Sequence, residues 1–378
     1  MLLLASCGAT AGRFRNLPVK KSRISQQQIA KDLGVSQTLV SMALNGRRNA
    51  VSKESYEEIW SYARRRGYQP KGMAPELLPA AKSTSVGFIL RTGVKLYNQS
   101  PFFGHVQHGL HEYLEERGIS LLLLGTEDEL DLGKLRQFYA SGGALAGLVV
   151  MGEVERPFLR ALKELEPRIV SVSAQYPGLC HSVLSNEEQA AEQLVQHLTD
   201  LGHSQFAWLG GSEHRQRSDS RWKALVSALR LRGLQIEPKF CQWARGADRL
   251  DGRQAAEQML SAAGGGKMPT AWICFNGMMA RGAVNFLLSE GLRIPRDLSL
   301  AAFDQTSILS DESPSITGAG AAPEEIGRAA GELVLEQSDA KRARCFDMVI
   351  DAELVAREST GKVAALRGAK ARPAPVQS

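Results

Sequence analysis

From position 85 onward the chain alternates short apolar runs with longer amphipathic ones, and few folds accept that rhythm. Residues 86–90, 119–124, 145–151 and 168–173 read as strands. Residues 103–117, 130–139 and 157–165, between them, read as helices. Consecutive strands joined by helices must run parallel, because each helix carries the chain back along one face of the sheet. The rhythm restarts at residues 206–209, with further strands near 271–275 and 298–303. Residues 85–360 are too many for one such sheet. They predict two doubly wound lobes, with a ligand cleft at the carboxyl ends of both sheets.

The first quarter has a different character. Residues 1–84 carry 14 Lys+Arg against 5 Asp+Glu, whereas the remaining 294 residues carry 32 against 35. The net charge of +6 is therefore concentrated where the alternation is absent, as expected if that part alone meets a polyanion. Hydrophobic residues at 43% and charged residues at 23% suit a globular protein, and no apolar run approaches the ~20 residues of a bilayer span. The five cysteines (Cys7, Cys180, Cys241, Cys274, Cys345) have no CxxC spacing and are odd in number, which fits a reducing cytoplasm better than a disulfide frame or zinc site. Leu4-Ala5-Ser6-Cys7 superficially resembles a lipoprotein cleavage site. No basic residue precedes it and the apolar stretch is short, so residues 1–22 are expected to be a disordered tail or an over-extended start rather than an export signal.

Within the basic quarter, Ser25 and Gln28 form a capping-box pattern that opens a helix ending at Leu33, with Ile29, Ala30 and Leu33 on one face. Gly34 makes the turn. Ser36 caps a second helix, with Val40, Ala43 and Leu44 inward and Asn45-Gly46 at its end. Ser52 opens a third, whose stripe is Tyr56, Ile59, Trp60 and Ala63. Two short helices about a Gly turn, closed by a third, make an all-α helix-turn-helix domain. The polar outer face of the second helix (Ser36, Gln37, Thr38, Ser41), together with Arg47, Arg48 and Arg64-Arg65-Arg66, points to DNA.

These residues carry a family resemblance. Ile29-Ala30-Lys31-Asp32-Leu33-Gly34-Val35-Ser36, then Val40-Ser41-x-Ala43-Leu44-Asn45-Gly46 and Gly67-Tyr68-x-Pro70, resemble the LacI/GalR repressors in order and spacing. The resemblance implies that the second helix enters the major groove with Gln37, Thr38 and Met42 reading bases. Gln suits adenine edges, and Thr and Met suit a thymine methyl. Relatives usually have Arg where Met42 stands, so a bidentate guanine contact is lost and the operator is expected to differ. Ser25, Ser36, Ser41, Asn45 and Tyr68 would seat the domain on phosphates. Residues 71–84 would form the hinge, with Leu77 as a wedge in the minor groove, although Pro75 and Pro79 depart from the usual pattern and leave a plain linker open.

The resemblance extends through Ser100-Pro101-Phe102-Phe103, Leu201-Gly202-His203, Arg221, Phe303-Asp304 and Glu353-Leu354-Val355. It implies a periplasmic-binding-protein-like sensor whose chain crosses between lobes three times. It also places Phe102, Phe103, Arg221, Trp243, Asn276 and Asp304 against an effector, with core packing as the alternative for the aromatics. Two departures stand out. Ser185-Asn186 replaces a frequent Asp-Asn, and Asn276-Gly277 replaces Asn-Asp, removing an acid that commonly holds sugar hydroxyls. An effector that is sugar-like or anionic is expected, with Glu188 as a nearby charge and no effector at all as the remaining alternative.

The expected organisation is 1–22 tail, 23–70 helix-turn-helix, 71–84 hinge, 85–360 effector-binding and dimerisation domain, and 361–378 tail. The first lobe is expected to take about 85–198 and 318–345, the second 199–317 and 346–360. No GxGxxG after a strand, GxxxxGK[ST], HExxH or GxSxG occurs, so no enzyme and no cofactor are implied. His105, His108 and His111 recur every three residues and read as a polar helix face before a metal comb. Taken together, the readings describe a cytoplasmic, homodimeric repressor that binds double-stranded operator DNA and meets no membrane. A periplasmic-type solute-binding protein is the competing class. The end of the chain lacks the leucine heptad that builds tetramers in the family.

Overall fold

A computed structural model of the protein describes residues 25–44, 52, 55, 58–59, 62–63, 85–93, 101–213, 215–264, 267–336 and 344–363. The expectations about residues 1–22, the hinge at 71–84 and the end of the chain beyond residue 363 lie outside them. So do those about Asn45, Tyr68, Leu77 and the arginines at 47, 48 and 64–66. The chain divides into two compact units, Met1–Lys82 and Ser83–Ser378.

In the first unit, α1 (Gln26–Leu33) and α2 (Gln37–Leu44) form where the capping pattern predicts. The Ser25 hydroxyl accepts the Gln28 N–H at 3.1 Å, and the Ser36 hydroxyl accepts the Leu39 N–H at 3.2 Å. Only half of the capping box forms, because the Gln28 amide turns forward to Asp32 at 2.7 Å. Gly34 ends α1 at φ 66°, a left-handed conformation that costs a β-carbon-bearing residue free energy. Ile29, Ala30, Val40, Ala43, Leu44, Ile59 and Ala63 make a small buried core. The Ser52 hydroxyl accepts the Ser55 N–H, and the Tyr62 hydroxyl donates to Asp32 at 2.6 Å, tying the third helical segment to the first helix.

The second unit holds two six-stranded sheets. In chain order its elements begin with β1 (Ser85–Leu90), α3 (Pro101–Glu115), β2 (Ser120–Thr126), α4 (Leu132–Ala140), β3 (Gly147–Met151), α5 (Arg156–Leu165), β4 (Ile169–Val172) and β5 (His181–Ser185). There follow α6 (Glu187–Asp200), β6 (Phe206–Gly210), α7 (Gln216–Arg230), β7 (Cys241–Trp243), α8 (Arg249–Ala263), β8 (Ala271–Cys274), α9 (Gly277–Ser289) and β9 (Ser299–Ala302). The described elements close with α10 (Ile308–Asp311), β10 (Thr317–Gly320), α11 (Pro323–Glu336), β11 (Asp347–Ile350) and β12 (Glu353–Val355). The first sheet runs β11-β5-β4-β3-β1-β2, all parallel. The second runs β12-β10-β9-β8-β6-β7, parallel except for β12. Two doubly wound lobes are thus present, as the alternation predicts.

The lobe boundaries differ from the sequence reading. Helix α6 packs on α7, β10 and β12 of the second lobe, so the first crossing falls at Asn186 rather than near residue 198. Strand β10 lies in the second sheet and β11 in the first, placing the other crossings at residues 321–322 and 351–352. A helix covers the sheet its chain is about to enter, and composition does not say which sheet that is. The three crossings are stitched together. The Ser185 hydroxyl accepts the Ala321 N–H at 3.3 Å, Asn186 N–H donates to the Ile350 carbonyl at 2.9 Å, and the Gln189 side chain accepts the Ala352 N–H at 2.8 Å.

Close helix crossings set the geometry of each lobe. A β-carbon at Gly109 on α3 would lie 2.0 Å from the Glu324 carbonyl, and one at Gly327 on α11 would lie 2.0 Å from that of Val106. In the second lobe, Gly252 on α8 and Gly282 on α9 meet each other's backbone in the same way. Around the latter pair lies a core that includes Trp208, Trp272, Phe206 and Phe303, all buried.

Candidate functional site

The first unit offers a polar helix face. Gln37 and Thr38 open α2 and are exposed, while Ser41 and Met42 follow one turn later and are half-buried. Ser25 and Ser36 are exposed as well. Each hydroxyl accepts a backbone N–H as a cap and keeps its own proton to donate outward, as a phosphate contact requires.

In the second unit the carboxyl ends of the strands converge on one cavity of about 1330 Å³. Arg91 follows β1, Glu153 follows β3 and Ser173 follows β4. From the other lobe come Ser212 after β6, Phe275 and Asn276 after β8, and Asp304 after β9. Parallel strands with short loops dictate this, since every loop at that end faces the crevice. Phe102 and Phe103, in the first turn of α3, line the cavity edge-to-face with ring centroids 5.4 Å apart.

Several predicted ligand contacts already have partners within the protein. Arg221 is buried, donates from Nε to Glu187 at 2.9 Å and from Nη1 to the Phe275 carbonyl, and faces the Phe275 ring. Asn276 caps α9 through the Met279 N–H and donates to the Ala247 carbonyl. Asp304 accepts the Gly277 N–H at 2.8 Å and the Thr306 N–H at 2.6 Å. A β-carbon at Gly277 would lie 2.9 Å from the Asp304 carboxylate, so Asp304 fills the room that an acidic side chain at 277 would need.

Trp243 is not part of the cavity wall. It stacks edge-on against Trp208 and Trp222, with centroids 6.1 and 5.6 Å away, and belongs to the core of the second lobe. Glu188 is exposed, and the charge lies one residue earlier. Glu187 is buried, facing Arg217 at 3.1 Å and Arg221 at 2.9 Å. Burial pushes its carboxyl pKa up, but the two guanidiniums and their hydrogen bonds outweigh that and hold it below the ordinary range. Arg217 is lowered to about 10 by burial and by the neighbouring Arg221. Its guanidinium also lies 4.1 Å above the Phe102 ring, a contact from one lobe to the other.

Sequence reasoning did not single out Arg91, Glu153, Arg215 or Arg217. Arg217 stands one helical turn before Arg221 on the same face, and Arg91 and Glu153 follow apolar strands directly, so position at a strand end is the signal that would have found them. The histidine comb is spoken for. His105 pairs with Glu324, His108 lies 3.5 Å from Glu112 and His111 lies 3.7 Å from Glu115.

Residues 195–360 match the periplasmic binding protein-like domain family. The chain is 26% identical over 341 residues to the HTH-type transcriptional repressor PurR of Aliivibrio fischeri (strain MJ11), covering 88% of this chain and 97% of the relative. It is likewise 26% identical over 314 residues to PurR of Haemophilus influenzae (strain PittEE), covering 82% and 90%. These alignments cover most of the chain and nearly the whole of each relative. Along most of its length the chain is thus similar to HTH-type transcriptional repressors. Among solved structures, the chain superposes on the transcriptional regulator CelR in its cellobiose complex with TM-score 0.65, at 20% identity, covering 89% of this chain and all of that one. It superposes on the lac repressor dimer bound to operator and the anti-inducer ONPF with TM-score 0.62, at 20% identity and 90% coverage of this chain. Both likenesses establish the shared fold.

Proposed function

We propose that this protein is a regulator of the LacI/GalR type, a cytoplasmic, homodimeric repressor whose operator affinity is set by a small molecule held between its two lobes. The observation that carries the reading is the pairing, in one chain, of an exposed Gln37-Thr38 helix start with a cavity at the carboxyl ends of two parallel sheets. Gln37, Thr38 and Met42 read bases in the major groove, and Ser25, Ser36 and Ser41 seat the helix on phosphates. Asn45, Tyr68 and Leu77 complete the contact. In the sensor, Phe102 and Phe103 wall the effector, while Arg221, Asn276 and Asp304 hold the loops around it in shape.

The ligand acts by linkage. An effector that bridges the lobes favours whichever angle between them it contacts best, and the operator-binding state shifts by that difference in affinity. Nothing in this arrangement calls for catalysis. An electrophoretic mobility shift with DNA from upstream of its own operon tests the reading. A specific shift with a half-site spacing of about one helical turn supports a dimer on a near-palindrome. No specific shift, with or without candidate effectors, overturns the reading.

A further inference from the structure

The charge of the cavity wall is lopsided. Eight arginines line it against four carboxylates, Glu153, Asp248, Asp251 and Asp304. All four acids already accept backbone N–H groups. Glu153 takes that of Gln216, Asp248 and Asp251 cap the start of α8, and Asp304 holds the Gly277 and Thr306 amides. Counting also Glu187 and Glu312 behind the wall, which serve Arg217, Arg221 and Arg281, eight guanidiniums still face six carboxylates.

The surplus is concentrated where the lobes meet. Arg91 follows β1 of the first lobe, and its one side-chain hydrogen bond among the described residues goes to the neighbouring Thr92 carbonyl. Arg215 stands at the N-cap of α7 in the second lobe. It makes no side-chain hydrogen bond or ion pair among the described residues. Arg91 and Arg215 line the same cavity from opposite lobes, and burial, then repulsion from Arg215, lowers the Arg91 pKa against the pull of Glu153. An anion entering between them would remove that repulsion and draw the lobes together.

A second observation concerns hydroxyl chemistry. Ser173 adopts φ 61°, a left-handed conformation that is unfavourable for a serine and that surrounding structure must maintain. Its buried Oγ has no hydrogen-bond partner among the described residues. Across the cavity the buried Thr306 Oγ1 is also unpartnered. Buried hydroxyls are nearly always satisfied, so two unmet ones on facing walls of one cavity ask for polar atoms of a ligand.

We infer that the effector is a hydroxylated organic anion, a sugar acid or a sugar phosphate, with its acidic group between Arg91 and Arg215 and its hydroxyls on Ser173 and Thr306. The inference rests on the effector reading of this cavity. Titration calorimetry of the full-length protein with hexose phosphates, aldonates and uronates, beside glucose and inorganic phosphate, tests it. At least one hydroxylated anion should bind tenfold or more tighter than both glucose, which lacks the charge, and inorganic phosphate, which lacks the carbon-borne hydroxyls. R91Q and R215Q should each weaken that ligand at least tenfold, and S173A severalfold. Glucose binding as tightly as any anion, silence across the anion panel, or full affinity in the R91Q/R215Q double variant would each overturn the proposal. The comparison among ligands uses the wild-type protein and survives misfolding of a variant. A mobility shift run in parallel separates the two claims, since operator binding with no anion response refutes this inference alone.

Discussion

Glu187 is one buried carboxylate facing two guanidiniums, and its replacement by Gln gives a sharp prediction. Glu187→Gln keeps the shape of the side chain and removes the charge, leaving Arg217 and Arg221 without compensation beneath the cavity floor. Removing one partner of a buried ion pair costs about 3–5 kcal/mol, because the remaining charge keeps its desolvation penalty. With about 2–4 °C of melting shift per kcal/mol for domains of this order, the sensor should melt roughly 6–20 °C lower in differential scanning calorimetry of the full chain at pH 7.5. The pH dependence supplies a second check. Burial raises the Glu187 pKa but the arginines lower it by more, so the folded group titrates below its ordinary value near 4.5. A depressed folded pKa means that the unfolded chain binds the proton more readily, so this stabilisation is whole above pH 4.5 and is lost as pH falls below it. The gap between wild type and variant should therefore narrow on acidification. A gap below about 1 kcal/mol at neutral pH, or one that ignores pH, refutes the ion-pair argument.

Other outcomes follow from residues already described. Gln37→Ala and Thr38→Ala should each weaken operator binding by about 1–3 kcal/mol relative to non-specific DNA, read as a loss of roughly 5–150-fold in competitive mobility shifts; equal losses on all sequences would contradict base reading. Met42→Arg should move the preferred site toward guanine in a binding-site selection, and an unchanged consensus would remove Met42 from the readout. Gly277→Asp should lower the stability of the sensor by about 1–3 kcal/mol in urea titration, since its β-carbon would meet the Asp304 carboxylate at 2.9 Å and add a like charge; a neutral effect would mean that Asp304 swings away freely. His203 bonds Thr270, Ser299 and the Gly361 carbonyl, and burial lowers its pKa below 6.5. A lowered folded pKa on a base leaves its stabilisation whole above 6.5 and erodes it as pH falls. The melting temperature should thus drop between pH 7.5 and 5.5, and less so in His203→Gln.

Whatever depends on near neighbours in the chain was legible. Ser25, Gly34 and Ser36 punctuate two helices, and apolar spacing alone placed Ile29, Val40, Ala43 and Leu44 in their core. The parallel sheets followed equally from alternation. What failed was partnership across distance. Trp243 at a strand end looks the same whether it faces a ligand or Trp208 and Trp222, and only the packing separates the two. Glu187 and Glu188 are adjacent acids at the start of one helix, and the 100° between them decides which is buried against arginines. Strands of three to five residues, such as β5, β7 and β12, are too short to show a period at all.

The glycine crossing of α3 and α11 bears on how a bound ligand is heard elsewhere. Gly109 and Gly327 each leave room for the partner's carbonyl and for nothing else, so the two helices mesh like teeth and cannot slip lengthwise. Helix α3 begins with Phe102 and Phe103 at the cavity, and α11 begins just after one of the three crossings. A displacement of the aromatic wall would therefore be expected to reach the joint between the lobes through this close crossing. Enlarging either glycine would introduce backlash, and the sensor could then hold its ligand yet fail to report it.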